Sequence, residues 1–152
     1  MKTLREFLQE SYQGKIKWIP PNPDAEHNEV HYQISHHENN PEDSNMPEWV
    51  RKRLTELKDK REWGNAIKSG KVTDYSRSEI RNTNNTGESW KDVPSDAKKR
   101  RAPRLYGKNK GIERPIILRN PKTGETHLIA GHHRATYVTD IMKRPVSVHE
   151  IT

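Results

Sequence analysis

The run Leu128-Ile129-Ala130-Gly131-His132-His133-Arg134-Ala135-Thr136 constrains this chain more than any other stretch. An apolar segment, His127 to Ala130, reads as a strand, and Gly131 breaks it. A cationic trio follows, and then Ala135, Thr136, Tyr137, Val138, Ile141 and Met142 recur at helical spacing. Upstream, Pro115-Ile116-Ile117-Leu118 is apolar and β-branched, so it reads as another strand. Asn120-Pro121-Lys122-Thr123-Gly124 between the two is dense in turn formers and predicts a hairpin-type reversal. A strand, a glycine, cationic side chains and a helix start outline an anion site. Glycine lets backbone approach a phosphate, and the first helical N–H groups and the helix dipole face it. Arg134 adds a fork for phosphate oxygens, or else forms a surface ion pair with Asp140 or Glu113. Thr136 adds a hydroxyl to the anion or caps the helix.

Only 29% of the 152 residues are hydrophobic and 32% are charged. Such a chain suits one domain with extended or irregular parts. The formal charge of +7 favours polyanions, with nucleic acid the first candidate. The absence of cysteine excludes disulfides and thiolate zinc sites. No apolar run approaches the roughly 20 residues that span a bilayer, and no secretory signal is visible. The expectation is a soluble, cytoplasmic protein.

From Arg114-Pro115-Ile116-Ile117 through Gly131-His132-His133-Arg134 to Arg144-Pro145-Val146-Ser147-Val148, the pattern resembles the ParB/sulfiredoxin superfamily. Gly131, His133 and Arg134 match its Gly-Cys-His-Arg and Gly-His-His-Arg boxes. The resemblance implies an α+β fold with a small mixed sheet and flanking helices. It also implies that the box binds nucleotide or backbone phosphate. Gly131, His132, His133, Arg134, Thr136 and Arg114 would then form the phosphate-binding or nucleotide-binding set. His132 stands where the sulfiredoxin branch has its catalytic cysteine. Without a thiol, sulfinic acid reduction is not available. Three functions stay open. One is nucleic-acid binding of the ParB-like nuclease kind. Another is phosphotransfer resembling that of a free-serine kinase, with magnesium and ATP, ADP or CTP. The third is a non-enzymatic protein packaged in a phage head. His133 suits proton transfer near neutral pH, and with His132 and Glu113 it forms the candidate catalytic set. Glu113 can be a base or a magnesium ligand. Glu79 and Asp140 are further carboxylate candidates, and no Asp/Glu pair at diagnostic nuclease spacing is visible.

The rest of the chain divides into segments. Residues 1–13 predict an amphipathic helix, and Leu8-Gln9-Glu10-Ser11 resembles the cleavage signal of prohead proteases of tailed phages, with cleavage after Glu10. Residues 14–46 predict an extended arm rich in proline and histidine. Val30, Tyr32 and Ile34 alternate there as an edge strand, and His27, His31, His36 and His37 offer a weak metal pattern. Residues 47–70 predict a basic helical segment, with its main helix over 47–63 ended by Gly64 and a short helix ending at Gly70. Residues 74–80 predict a turn or a capped helical piece. Residues 71–152 would hold the ParB/sulfiredoxin-like domain. Within it Lys98, Lys99, Arg100, Arg101, Arg104, Lys108 and Lys110, with Tyr106 among them, can follow a phosphate strand and stack a base.

Overall fold

The computed structural model describes residues 16–42, 45–84 and 111–152. The predicted leader helix with Glu10 and the basic run from Lys98 to Lys110 lie outside the described residues. The elements, in chain order, are β1 (Trp18–Ile19), α1 (Pro23–Asn39), α2 (Glu48–Leu57), α3 (Lys60–Ser69), β2 (Lys71–Tyr75) and α4 (Arg77–Arg81). They continue with β3 (Ile112–Glu113), β4 (Ile116–Arg119), β5 (Thr126–Ala130), α5 (His132–Thr136) and β6 (Val146–Ile151). Between α5 and β6 the helix widens into a π turn over Tyr137–Ile141.

The fold is α+β. Its main sheet has the order β2-β6-β4-β5, and β1 and β3 pair separately in parallel. The turn-rich segment makes β4 and β5 an antiparallel hairpin. Asn120 closes it, its side chain accepting from the Lys122 N–H and its carbonyl from the Gly124 N–H. The chain then passes through α5 and returns as β6, parallel to β4 and antiparallel to β2.

Each face of the sheet is covered by helix, which is why β4 reads as a continuous apolar run. Ile116 and Leu118, with Ile129 and Ile151, pack on Val30, Ile34, Val50, Leu54, Leu57 and Trp63 of α1–α3. Ile117, Leu128, Val146 and Val148 pack on Ala135, Tyr137, Val138, Met142 and Ile80. A thin apolar supply thus suffices for the described residues, because two modest layers share one sheet.

Two sequence expectations need correction. Residues 23–39 form a helix, where an extended arm with an edge strand was expected. Asn22 caps it, accepting from the Asp24 and Ala25 N–H groups, and Pro23 occupies the first turn where a missing N–H costs nothing. Val30 and Ile34 are buried one turn apart while Tyr32 is 65% exposed, so the spacing that counts is four, not two. The helix expected over 47–63 is two helices. Asp59 interrupts it by capping α3 through the Arg61 and Glu62 N–H groups, and Gly64 lies inside α3 instead of ending a helix. The piece at 74–80 resolves into the end of β2 and α4, whose first turn is a reciprocal capping box between Ser76 and Glu79.

Leu54 is fully buried between α2 and the sheet. Leu54→Ala is expected to cost about 2–5 kcal/mol through lost transfer energy and the cavity left behind. A fall in the urea midpoint at unchanged slope would check it.

Candidate functional site

The turn after β5 has the backbone that its sequence implies. Gly131 sits at φ 91°, in the left-handed region, directly before α5. A Cβ built there would come 2.8 Å from the Pro115 Cα and 2.9 Å from the Arg134 guanidinium. Glycine is therefore required twice, by dihedral and by space. Its carbonyl accepts from the Ala135 N–H at 2.9 Å, which starts the helix.

Arg134 points inward. Its Nη2 donates to Glu26 Oε1 at 3.0 Å, and both side chains are 10% exposed. Its partner is thus neither Asp140 nor Glu113 but a carboxylate on α1. Asp140 instead pairs with Arg77 at 3.0 Å and Arg81 at 3.6 Å. A phosphate reaching Arg134 has to share the guanidinium with Glu26. The Arg134 Nε is buried and has no hydrogen-bond partner among the described residues.

Glu113, the expected base, lies close to Glu26. Burial raises the Glu26 pKa; Arg134 opposes this, and the neighbouring Glu113 reinforces it, so the net direction is upward. Sequence spacing gave no acidic pair, and α1 folded over β5 supplies one. Arg114, next to Glu113, donates from Nε to Ser147 Oγ at 3.0 Å. The Thr136 hydroxyl turns back to the His132 and His133 carbonyls at 3.2 and 3.1 Å, within the helix. His132 and His133 are both half-buried in the first turn of α5. Glu79 is spent on the α4 cap.

Behind the turn lies a polar element that sequence reading missed. Gln33 of α1 donates to the Ile129 carbonyl at 2.6 Å, and its Oε1 lies 2.9 Å from His127 Nε2. The amide oxygen can only accept, so Nε2 is the donor of this bond. Burial, helped by the charge of His132, pushes the His127 pKa down to about 4. The remaining nitrogen, Nδ1, has no partner among the described residues. The signal for this helix was present as Asn22-Pro23-Asp24, a cap followed by proline and acid. Glu26, Val30, Gln33 and Ile34 then fall on its buried side.

The four arm histidines do not converge on one point. His27 stacks on Trp63 with ring centres 5.5 Å apart and donates to the Leu57 carbonyl at 2.7 Å. Among the described residues no group of three His, Cys, Asp or Glu side chains is placed to hold a metal. Among them, too, no helix is long and apolar enough to cross a membrane.

Asn84 marks where residues 85–110 leave the described fold. It bridges to the β5 edge, donating to the Thr126 carbonyl and accepting from the Leu128 N–H at 2.7 and 2.9 Å. The chain re-enters at Gly111, two residues before Glu113. Gly111 therefore re-enters four residues before Pro115, which abuts Gly131, whereas Asn84 lies beside the start of β5, at the Arg119 end of the hairpin. No family model, curated protein or solved structure matches the chain.

Two expectations follow. Glu26→Leu leaves the Arg134 charge buried without its counterion and should lower stability by about 3 kcal/mol. Glu26→Leu combined with Arg134→Leu should recover most of that loss, as read by chemical denaturation of both variants. The second concerns pH. His127 has a folded pKa below its usual 6.5, so the folded state binds the proton less readily than the unfolded one. Its contribution is complete above pH 6.5 and is lost as pH falls towards 4, by roughly 3 kcal/mol in all. Denaturation midpoints across that window should fall less steeply for His127→Gln than for the native protein.

Proposed function

We propose that this chain is a phosphate-recognising nucleic-acid-binding protein of ParB/sulfiredoxin-like type. The observation that carries the reading is where the charged segment is tethered. Residues 85–110 hold eight lysines and arginines against three acids, and they rejoin the fold at Gly111, four residues before Pro115, which abuts Gly131. A phosphate backbone held by Lys98, Lys99, Arg100, Arg101, Arg104, Lys108 and Lys110 would be delivered to the start of α5. There the half-buried His132 and His133 would be the side-chain donors. Arg134 lends positive charge from behind the turn, moderated by Glu26.

The contact between Glu26 and Glu113 favours an enzymatic form of this reading, a ParB-like nuclease or a nucleotide-dependent phosphotransferase. Two neighbouring carboxyl groups, once ionised, can act as a base or hold magnesium. ATP, ADP or CTP would be the nucleotide in the phosphotransferase case, with His133 moving a proton.

Duplex and single-stranded DNA affinities measured across a salt series test the binding. Each phosphate contact contributes a slope of about −0.9 in log affinity against log salt on duplex DNA. Replacing Lys98, Lys99, Arg100 and Arg101 together by alanine should make the slope shallower by about three to four units. Salt-insensitive or absent binding defeats the reading. Stabilisation against heat by a nucleotide with magnesium, lost in Glu113→Gln, would select the phosphotransferase form.

A further inference from the structure

At the end of the sheet away from Gly131, the parallel strands β4 and β6 finish side by side, and their carboxyl ends open into a groove. Two cavities of 440 and 530 Å³ make it up, and Arg53, Arg119, Pro121 and Thr152 line both. Crevices beyond the carboxyl ends of parallel strands are favoured ligand positions in sheets with helices on both faces. Each volume lies in the usual range for a small-molecule site.

The lining combines a fixed aromatic wall with held and unheld cations. Trp49 of α2 is half-buried, and its indole N–H donates to Glu125 Oε2 at 2.9 Å, which sets the ring beside Pro121 and Leu118. Arg119 is braced by Glu150 Oε1 at 2.7 Å, by the Tyr75 hydroxyl at 3.0 Å and by the Gly124 carbonyl at 3.1 Å. Arg53 forks onto the Thr152 carbonyl at 3.1 and 3.0 Å and pairs with Glu56 at 2.9 Å. Neither guanidinium uses all of its N–H groups in these bonds, so each offers donors in a fixed direction. The ammonium groups of Lys52 and Lys122 make no hydrogen bond or ion pair among the described residues. Lys71 is 72% exposed on the far side, 3.8 Å from Glu150.

Three acids share the groove. Glu150 is committed to Arg119 and Tyr75, and Glu56 to Arg53, which leaves Glu62 at the rim. Burial would raise the Glu150 pKa, but hydrogen bonds from Arg119 and Tyr75 outweigh it, so this carboxylate stays ionised and keeps Arg119 in place. The uncommitted charge is mostly positive, and it surrounds a flat apolar wall.

We infer that this groove binds a nucleobase against Trp49 with its attached phosphate among Lys52, Lys122 and Arg53. A free mononucleotide and a short single strand present the same chemistry. The site lies at the other end of the sheet from the Gly131 turn and stands without the function proposed above.

The test follows the Trp49 indole N–H by proton–nitrogen correlation spectroscopy on the full chain, its signal assigned by loss in Trp49→Phe. The probes are AMP, a pentathymidylate and inorganic phosphate. A saturable shift with AMP identifies the free nucleotide as occupant, and one with the pentathymidylate alone identifies the single strand. In either case Lys52→Ala with Lys122→Ala should weaken binding by about tenfold, the loss of two phosphate contacts. The variant lacking Lys98, Lys99, Arg100 and Arg101 should keep the shift, which separates this site from the basic segment. No shift with either nucleotide probe, an equal shift with phosphate alone, or unchanged affinity in the lysine variant overturns the assignment.

Discussion

The ion pair between Arg134 and Glu26 joins the two halves of the structure. One partner comes from the first turn of α1 and the other from the first turn of α5, beside the same strand end. A buried guanidinium needs a counterion, so α5 cannot settle into place unless α1 has folded over β5. Gln33 repeats the demand one face over, since its amide satisfies both the Ile129 carbonyl and His127. These polar contacts specify how α1 sits, whereas Val30 and Ile34 would tolerate some sliding.

The same pair changes the meaning of the strand–glycine–helix run. A turn of this sequence could present its arginine to solvent as an open fork. Here the fork faces a carboxylate, so the positive potential at the turn is reduced, and the groups nearest the surface are the imidazoles of His132 and His133. Glu113, placed against Glu26, puts a second carboxyl group within the same small volume. Binding of an anion there is opposed when both acids are ionised and helped when one of them holds a proton.

Local signals carried the C-terminal part of the fold. Ile116-Ile117-Leu118, the turn at Asn120–Gly124 and the apolar run into Gly131 each specify their own conformation within a few residues, and the hairpin and a helix starting after Gly131 appear as read, though that helix gives way to a π turn at Tyr137. The N-terminal part misled because two periodicities compete there. Val30, Tyr32 and Ile34 suit a strand if every second residue is counted, and Pro20, Pro21 and Pro23 suggest extended chain. The cap at Asn22 decides for helix, and burial at Glu26, Val30, Gln33 and Ile34 agrees with it. What no local pattern could reveal is which distant side chains meet. Glu26 with Arg134, Gln33 with His127, and Arg119 with Glu150 and Tyr75 are tertiary pairings.

β6 is one of the two inner strands of the main sheet, and it follows every other described strand in the chain. Its neighbour β2 pairs Lys71 with Glu150, and β4 pairs Ile116 with His149. During synthesis, the helices α1–α3 and the β4–β5 hairpin emerge before the strand that connects β2 to β4. Until it arrives, the inner edges of both stay unpaired, and Ile117 and Val72 border open backbone. Assembly on the ribosome is thus gated by a segment that leaves the exit tunnel last among these elements, and a pause or truncation before residue 146 would strand two incomplete half-sheets in search of other partners.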